Sequence, residues 1–270
     1  MTAGGLYERA AHKNGVPGAA VPRSLWYVGQ GISAFAGPLR HNVGHQHSVP
    51  VLLAGLYDNF RLRIADEPWT RCRLALVPAG VTYAFDMAGD PLAVIYLEPS
   101  IAGADALAPL VRGGREIGGA LVGTARDTHG LRALFEDQGS ASWAGEALAD
   151  LLRFSSPRAR RQLDPRIARV VRQLQLNEGE QVAVAVADAS AAVGLSASRF
   201  QHLFAADVGV PYRRYRAWQR MLAAIREIVA GSNFTVAAHA AGYADQAHFA
   251  HDFRRMFGAS ASPSMVNVRG

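Results

Sequence analysis

The chain has 270 residues, of which 50% are hydrophobic, and its formal net charge at pH 7 is +6. No apolar run reaches the roughly 18 residues of a membrane-spanning helix, and residues 1–24 lack the charged and apolar parts of a signal peptide. The single cysteine, Cys72, excludes an intrachain disulfide. These features indicate a cytoplasmic protein without a membrane partner and long enough for two domains.

The first hundred residues are predicted to form a β-barrel or sandwich. Residues 1–20 are rich in Gly and Ala without periodicity, so we expect a loose arm there. From Trp26 to about Pro99, short apolar segments are separated by turn signals about every 10 residues. Between Phe60 and Ile64, apolar residues alternate with arginines, which is the period of a half-buried strand.

Residues 100–155 have a helical composition and are predicted to form helices. They contain three apolar patches: Leu107, Leu110 and Val111; Leu131, Leu134 and Phe135; and Ala147, Leu148, Leu151 and Leu152. These helices can pack on the barrel or pair with a second copy across a two-fold axis. Ser155 to Pro157 and the arginines that follow are typical of a linker. The next helix is predicted to begin near Pro165, after Asp164.

The second half contains one pattern twice. The spacing of Phe200, Phe204 and Gly209 recurs 49 residues later, and the glycines Gly194 and Gly242 are offset by 48. A repeat of this length predicts a duplicated helical module. Because glycine readily takes a left-handed turn conformation, each copy is predicted to be helix, turn, helix.

The second helix of each copy is predicted to bury its aromatic side chains and expose its polar ones. Ser196 and Asp245 are the predicted caps of these helices, and Thr235 is predicted to begin the first helix of the second copy. A short helix with such an outer face fits the major groove of DNA. The outward positions are Ser198, Gln201 and His202 in the first copy, and Gln246, Ala247 and His251 in the second.

A single long helix is predicted between the copies, from Tyr212 to Ala230. Its first turn carries Arg213, Arg214 and Arg216, which can contact phosphates or form a solvated face. Residues 158–270 hold 15 Arg against 8 acidic residues, whereas residues 1–157 hold 13 basic residues against 14 acidic ones. The positive excess therefore lies in the duplicated half, which favours phosphate contacts.

In the duplicated half, with its repeated phenylalanines and turn glycines, the sequence resembles the AraC/XylS family of bacterial transcription regulators. The segment after Gly258 is two residues longer than the family usually has, and Ser190 stands where a buried alanine is usual. The resemblance covers about residues 163–263. It rests on Val193 to Phe200, on Arg220 with Ala224, on Ala238 to Tyr243, and on Phe249, Phe253, Phe257, Gly258, Pro263 and Ser264.

The resemblance implies an α+β protein of two domains. Residues 1–157 are expected to form a cupin-like sensor and dimerisation domain with trailing helices and a linker. Residues 158–270 are expected to form an all-α domain with two helix-turn-helix units. Residues 160–270 are predicted to fold alone and bind DNA without the barrel, because they hold their own aromatic core and all the positive excess. The resemblance also implies double-stranded DNA as the partner, a homodimer, and contact with RNA polymerase if the protein is an activator. In the family, the long helix is a spacer that places two recognition helices in successive major grooves, roughly 34 Å apart.

The sequence from Gly44 to His47, followed by the turn at residues 78–80, resembles the cupin barrel. Metal-binding cupins place a Glu shortly after the two histidines, where this chain has Val51 and Leu52, and a third histidine is missing near Tyr83. We therefore expect no metal, no cofactor and no enzyme activity. The residues expected to line a pocket for a small organic effector are His45, His47, Tyr83 and Phe85.

Three alternatives remain open for the first domain. The two histidines can be structural polar residues, the domain can serve only for dimerisation or partner binding, or it can be a metal-dependent cupin enzyme with a DNA-binding tail. For DNA, Asp245 is interpreted as a cap, and Gln246 can pair with adenine. The residues expected to bind DNA are Ser198, Arg199, Gln201, His202, Gln246, Ala247, His251, Arg213 and Arg214.

Overall fold

The computed structural model describes residues 22–101, 104–125, 128–155, 163–176, 184–265 and 268–270. The predicted arm at residues 1–20 and most of the predicted linker, with the boundary between residues 157 and 158, lie outside these ranges. Within them, no helix has the length and apolar character needed to cross a bilayer. The predicted combination of a β-rich first domain and a helical second domain is confirmed.

Strands of the first domain are short and are all paired antiparallel. One sheet has the order β1-β2-β9-β4-β7-β11-β10 and the other the order β3-β8-β5-β6. Their bounds are β1 Leu25–Val28, β2 Ile32–Pro38, β3 His41–Gln46, β4 Val51–Gly55, β5 Phe60–Ile64, β6 Thr70–Cys72, β7 Leu74–Val77, β8 Thr82–Asp86, β9 Pro91–Leu97, β10 Val111–Ile117 and β11 Ala120–Ala125.

The alternation predicted for β5 is present. Phe60, Leu62 and Ile64 are buried, whereas Arg61 and Arg63 are exposed. The inward side chains of both sheets form one core, because successive residues of a strand point to opposite faces. A second apolar layer lies between the outer face of the larger sheet and the helices that follow it.

The helix predicted around Leu107, Leu110 and Val111 is wrong. Leu110 ends a short 3₁₀ turn, and Val111 begins the hairpin of β10 and β11. The turn of this hairpin is Gly118-Gly119, whose φ angles are +54° and +84°. A pair of glycines is a hairpin signal because both residues adopt positive φ without strain. The mixed apolar and basic composition of the strands concealed that signal.

The other two apolar patches are helices, as predicted. Helix α1 spans His129–Glu136 and buries Leu131, Leu134 and Phe135. Helix α2 spans Ala144–Ser155 and buries Leu148. Both pack on the larger sheet of the barrel within this chain.

The second domain contains the two predicted helix-turn-helix units around a long central helix. Its helices are α3 Pro165–Leu176, α4 Val186–Ala191, α5 Ala197–Val208, α6 Tyr212–Val229, α7 Phe234–Ala240, α8 Gln246–Phe257 and α9 Ser262–Met265. The turn glycines have the left-handed conformation that the sequence predicts, with φ of +67° at Gly194 and +77° at Gly242.

The two recognition-type helices have the predicted caps. The Ser196 side chain accepts from the Arg199 amide at 3.3 Å, and Asp245 accepts from the His248 amide at 2.7 Å. The predicted start at Thr235 is wrong, because α7 begins one residue earlier and is capped by Asn233. An Asn side chain can accept the free amide three residues on, and this signal was available in the sequence.

The departures from the family pattern are accommodated locally. Ser190 is buried, and its hydroxyl donates to the Ala187 carbonyl at 2.9 Å, so its polar group is satisfied within α4. The longer segment after Gly258 leads into α9, whose Met265 is buried in the main core.

A buried carboxylate joins the two domains. Glu98 follows β9 and accepts hydrogen bonds from Tyr215 Oη at 2.5 Å, Trp218 Nε1 at 2.8 Å and Gln219 Nε2 at 3.0 Å. Gln175 Nε2 adds a fourth donor at 3.1 Å. Complete burial raises the pKa of Glu98, although these hydrogen bonds act in the opposite direction. All four donors come from α3 and α6, so this contact fixes the long helix against the barrel.

The last described residues return to the first domain. Arg269 is buried, and its guanidinium donates to Ser140 Oγ at 2.5 Å and to the carbonyls of Leu134 and Phe135 at 2.7 and 2.9 Å. Its backbone also bridges to Leu25 in β1. The second domain is therefore attached to the first through its C-terminal residues as well as through Glu98.

We predict that Glu98→Ala lowers the free energy of unfolding of the full chain by on the order of 3 kcal/mol. The substitution removes the acceptor of several buried donors, and each unsatisfied donor costs about 1–3 kcal/mol. Urea unfolding followed by circular dichroism measures this change.

Glu116→Ala is the matched control, because Glu116 is exposed on β10. It should change the free energy of unfolding by less than about 0.5 kcal/mol. Equal effects of the two substitutions would mean that the buried contact contributes nothing specific.

Candidate nucleic-acid interface and barrel pocket

Helix α5 has one aromatic and one polar face. Phe200 and Phe204 are fully buried, and their rings pack against Tyr212 at 5.1 and 5.2 Å between centroids. The positions predicted to contact DNA are exposed on the other side: Ser198, Arg199, Gln201 and His202. The burial of the aromatic residues fixes the helix so that these polar side chains face outward.

Helix α8 repeats this arrangement. Phe249 and Phe253 are buried, and Gln246, Ala247 and His251 are exposed. The Gln246 side chain accepts from the Thr235 hydroxyl at 3.0 Å, which ties the start of α8 to α7. The two outward histidines, His202 and His251, therefore occupy equivalent places in the two units.

A cleft with positive charge lies between the barrel and the second unit, and we call it the basic cleft. Its volume is about 690 Å³. The cleft contains five arginines and a single carboxylate, so its electrostatic potential favours anions. It is lined by Gln46, Ser48, Arg213, Arg214, Arg216, Ala217, Arg220, His248, His251, Asp252, Arg255 and Met256.

Asp252 neutralises part of this charge. It is buried and forms ion pairs with Arg220 at 2.9 Å and Arg255 at 3.1 Å, and His248 Nε2 lies 3.8 Å away. The sequence indicated Arg220 only as part of the family resemblance, and Asp252 and Arg255 looked like ordinary surface charges of α8. The three residues lie on one side of the helices only after α6 and α8 pack together.

The predicted phosphate-binding residues differ in their surroundings. Arg213 is exposed at the start of α6. Arg214 is half-buried and donates to the Gln46 side chain of the barrel. Burial lowers the pKa of Arg214, and the charge of Arg255 acts in the same direction. A guanidinium remains protonated in proteins, so Arg214 keeps its charge. Arg216 donates to the Val184 carbonyl at 2.7 Å and so supports α6.

The barrel has an internal pocket of about 590 Å³ at its contact with α8. The four residues predicted from the sequence, His45, His47, Tyr83 and Phe85, all line it. The structure adds residues that the sequence did not indicate. These are Trp26, Phe35, Pro38, Leu39, Arg40, His41, Asn42, Gly89, Val94 and Tyr96 from the barrel, and Phe253, Phe257, Ala259, Ser260, Pro263 and Ser264 from the second domain.

The pocket is therefore closed by α8, the helix that also carries the outward residues Gln246, Ala247 and His251. The Phe257 ring lies 5.3 Å from His47 and 5.8 Å from Trp26 between centroids. At the end of α8, the Gly258 carbonyl accepts from the Val43 amide at 3.0 Å. A Cβ atom at Gly258 would lie 2.6 Å from His45 Nδ1, so only glycine permits this approach.

The two buried histidines of the pocket are uncharged near neutral pH. Burial lowers the pKa of His45 to about 4 and also lowers the pKa of His47. His45 Nδ1 lies 2.8 Å from the Val43 carbonyl, which fixes the ring as the Nδ1–H tautomer. Trp26 Nε1 and His47 Nδ1 are buried without a hydrogen-bond partner among the described residues. Such atoms fit the polar groups of an organic ligand.

In the part of the chain that the structure describes, no three His, Cys, Asp or Glu side chains come together as a metal-binding group. The expected lack of a metal at His45 and His47 stays a prediction. The two rings lie 5.1 Å apart between centroids and nearly perpendicular, in contact with Tyr83 and Tyr96. The donor set is thus two imidazoles among aromatic rings.

Residues 189–263 match the family model described as a helix-turn-helix domain. The chain carries an AraC-type helix-turn-helix domain. The AraC-type domain contains α5 and α8, so the prediction of a DNA-binding regulator of this type is confirmed. A search of curated proteins by sequence found no match.

Solved structures similar to the whole chain include three of ToxT from Vibrio cholerae. The structure of unsaturated fatty acid-bound ToxT is 10% identical, covers 90% of this chain and 98% of its own, and has a TM-score of 0.55. ToxT bound to (E)-4-(8-methylnaphthalen-1-yl)but-3-enoic acid is 10% identical, with coverage of 87% and 98% and a TM-score of 0.52. A 1.65 Å structure is 11% identical, with coverage of 89% and 100% and a TM-score of 0.51. At this identity the likeness shows a shared two-domain fold.

The lowered histidine pKa values predict that the protein loses stability in acid. His45 is neutral when folded, and an unfolded histidine has a pKa of 6.5. The contribution of neutral His45 to the free energy of unfolding is therefore fully present above pH 6.5. It is lost as pH falls from 6.5 through about 4, because protons then bind the unfolded chain preferentially. The lowering of the His45 pKa corresponds to about 3 kcal/mol of unfolding free energy. Urea unfolding between pH 7 and pH 4 measures this loss.

His45→Gln should show a smaller loss of stability than the parent protein over this range. His239→Gln, at an exposed position of α7, is the control and should follow the parent. If His45→Gln and the parent lose the same free energy, His45 is not buried in its neutral form.

Proposed function

We propose that the protein is a sequence-specific transcriptional regulator that binds double-stranded DNA through α5 and α8 and responds to a small organic effector in the barrel pocket. The observation that carries this proposal is the equivalence of the two helices. Each buries a pair of phenylalanines four residues apart and exposes a polar face with a histidine at the same place, and α6 holds both helices. Two rigidly spaced helices of this kind suit successive major grooves.

The outward side chains divide by chemistry into base-reading and phosphate-binding groups. A neutral imidazole has one donor and one acceptor, so His202 and His251 suit base edges. Gln246 suits adenine through its side-chain amide. Ser198, Arg199, Gln201 and Ala247 complete the two faces. Arg213 and the half-buried Arg214 lie at the basic cleft between the barrel and α8, where they suit the phosphate backbone.

The effector proposal rests on the pocket. The cavity is large enough for a small organic molecule, and seven Phe, Trp and Tyr side chains line it. Trp26 Nε1 and His47 Nδ1 are buried there without a hydrogen-bond partner among the described residues. ToxT, which shares the fold, has been crystallised with an unsaturated fatty acid. Because α8 forms one wall, an effector here would contact the DNA-binding domain directly.

The remaining partners belong to the same proposal. We infer a homodimer formed through the first domain, and an interaction with RNA polymerase if the protein is an activator. The inferred site of action is the cytoplasm, and no enzymatic activity is assigned. The folding of residues 160–270 as an independent unit also stays a prediction. The shared contact of Trp218 and Phe257 with the barrel means that an isolated fragment would expose both side chains.

We predict that His202→Ala and Arg213→Ala weaken DNA binding in different ways. The first should cost about 1–3 kcal/mol on a duplex selected from a random pool and almost nothing on a scrambled duplex, because it removes a base contact. The second should weaken binding to both duplexes alike and lower the slope of log K against log salt by about one unit. Salt titrations on both duplexes measure these effects.

Arg71→Ala is the control, because Arg71 is an exposed arginine of β6 outside the basic cleft. It should bind both duplexes as the parent does. A His202→Ala protein that loses affinity for scrambled and selected DNA equally would show that His202 does not read bases.

A further inference from the structure

Strand β3 and the residues that follow it face two sites in turn. His45 and His47 point into the barrel pocket, whereas Gln46 and Ser48 lie on the wall of the basic cleft. This follows from the two-residue period of extended backbone. The pairing with β8 agrees, since His45 is opposite the pocket residue Tyr83 and Gln46 is opposite Thr82.

Both the side chain and the backbone carbonyl of Arg214 form hydrogen bonds with this segment of the barrel. The Gln46 carbonyl oxygen, Oε1, accepts from Arg214 Nη1. The Ser48 hydroxyl donates to the Arg214 backbone carbonyl at 3.0 Å. Gln46 is itself fixed, because its Nε2 donates to Thr82 Oγ1 at 2.5 Å. A long flexible side chain of the DNA-binding domain is thereby confined to one orientation by residues of the other domain.

The partner that Gln46 offers is neutral, and this distinguishes Arg214 from Arg220 and Arg255. Arg220 and Arg255 are paired with Asp252, which cancels part of their charge. Arg214 has no carboxylate within ion-pair distance among the described residues. A guanidinium has five N–H donors, and the bond to Gln46 engages one of its two terminal nitrogens. The remaining donors and the full charge of Arg214 stay available to an anion in the cleft.

We propose that Gln46 is a positioning residue for DNA binding: it holds Arg214 in the basic cleft so that its undiminished charge meets a backbone phosphate. The inference rests on the proposed function, because it requires DNA at the cleft. It extends that function by giving the barrel a direct part in DNA affinity. It also places the DNA-facing Gln46 between two residues of the effector pocket.

Two substitutions at Gln46 separate orientation from charge. Gln46→Ala frees the Arg214 side chain but leaves its charge, so we expect DNA affinity to fall about 3- to 10-fold, the cost of ordering one flexible side chain on binding, with an unchanged salt slope. Gln46→Glu keeps the size and the acceptor but pairs Arg214 with a carboxylate. This variant should bind more weakly than Gln46→Ala and have a salt slope lower by about one unit.

The test is a salt titration of the full chain on a selected and a scrambled duplex, with urea unfolding of every variant. The variants are Gln46→Ala, Gln46→Glu, Arg214→Ala and the double variant Gln46→Ala with Arg214→Ala. The double variant should bind as Arg214→Ala does, since Gln46 acts only through that side chain. If Gln46 had a purely structural role, Gln46→Glu would lower stability without changing the salt slope.

Gln138→Glu makes the same charge change at an exposed position after α1, outside the basic cleft, and should bind as the parent does. The inference is overturned if Gln46→Glu binds within twofold of the parent with the same slope, or if Gln46→Ala weakens the Arg214→Ala protein further. If the alanine variant does not fold, the isosteric Gln46→Glu decides alone. A parent chain that fails to bind either duplex contradicts the proposed function itself, and the inference with it.

Discussion

The buried carboxylate of Glu98 is the contact on which the arrangement of the two domains depends. It belongs to the barrel, and all the side chains that hydrogen-bond to it belong to α3 and α6. A buried carboxylate without donors would be strongly unfavourable, so the barrel and the long helix satisfy each other only in this orientation. Because α6 supports both helix-turn-helix units, the contact also sets where α5 and α8 lie relative to the barrel.

One consequence is that α8 has two functional faces. Phe253 and Phe257 close the barrel pocket, and Gln246 and His251 point outward on the face proposed to read DNA. An effector and an operator would thus bind on different sides of the same 12-residue helix. A ligand that shifts α8 by a small amount would change the spacing of the two recognition helices, and one that fits without a shift would stabilise it.

The sequence predicted the second domain well and the first domain in outline. The 49-residue repeat, the cap at Ser196 and the turn at Gly194 are local signals, and the structure shows them where the sequence places them. The hairpin after Val111 was missed because strands with mixed polar composition resemble helical segments. The closure of the pocket by Phe257 and the hydrogen bond between Gln46 and Arg214 both depend on the docking of the two domains. Phe257 is about 210 positions from His47, and Arg214 is 168 positions from Gln46. No local pattern carries that information.

The central claim is that the barrel and the AraC-type domain form one packed body joined through Glu98. Differential scanning calorimetry of the full chain tests it most directly, because two domains with a shared core should unfold together. The account predicts a single transition whose calorimetric and van't Hoff enthalpies agree. Two resolved transitions, with the barrel and the helical domain melting separately, would contradict it.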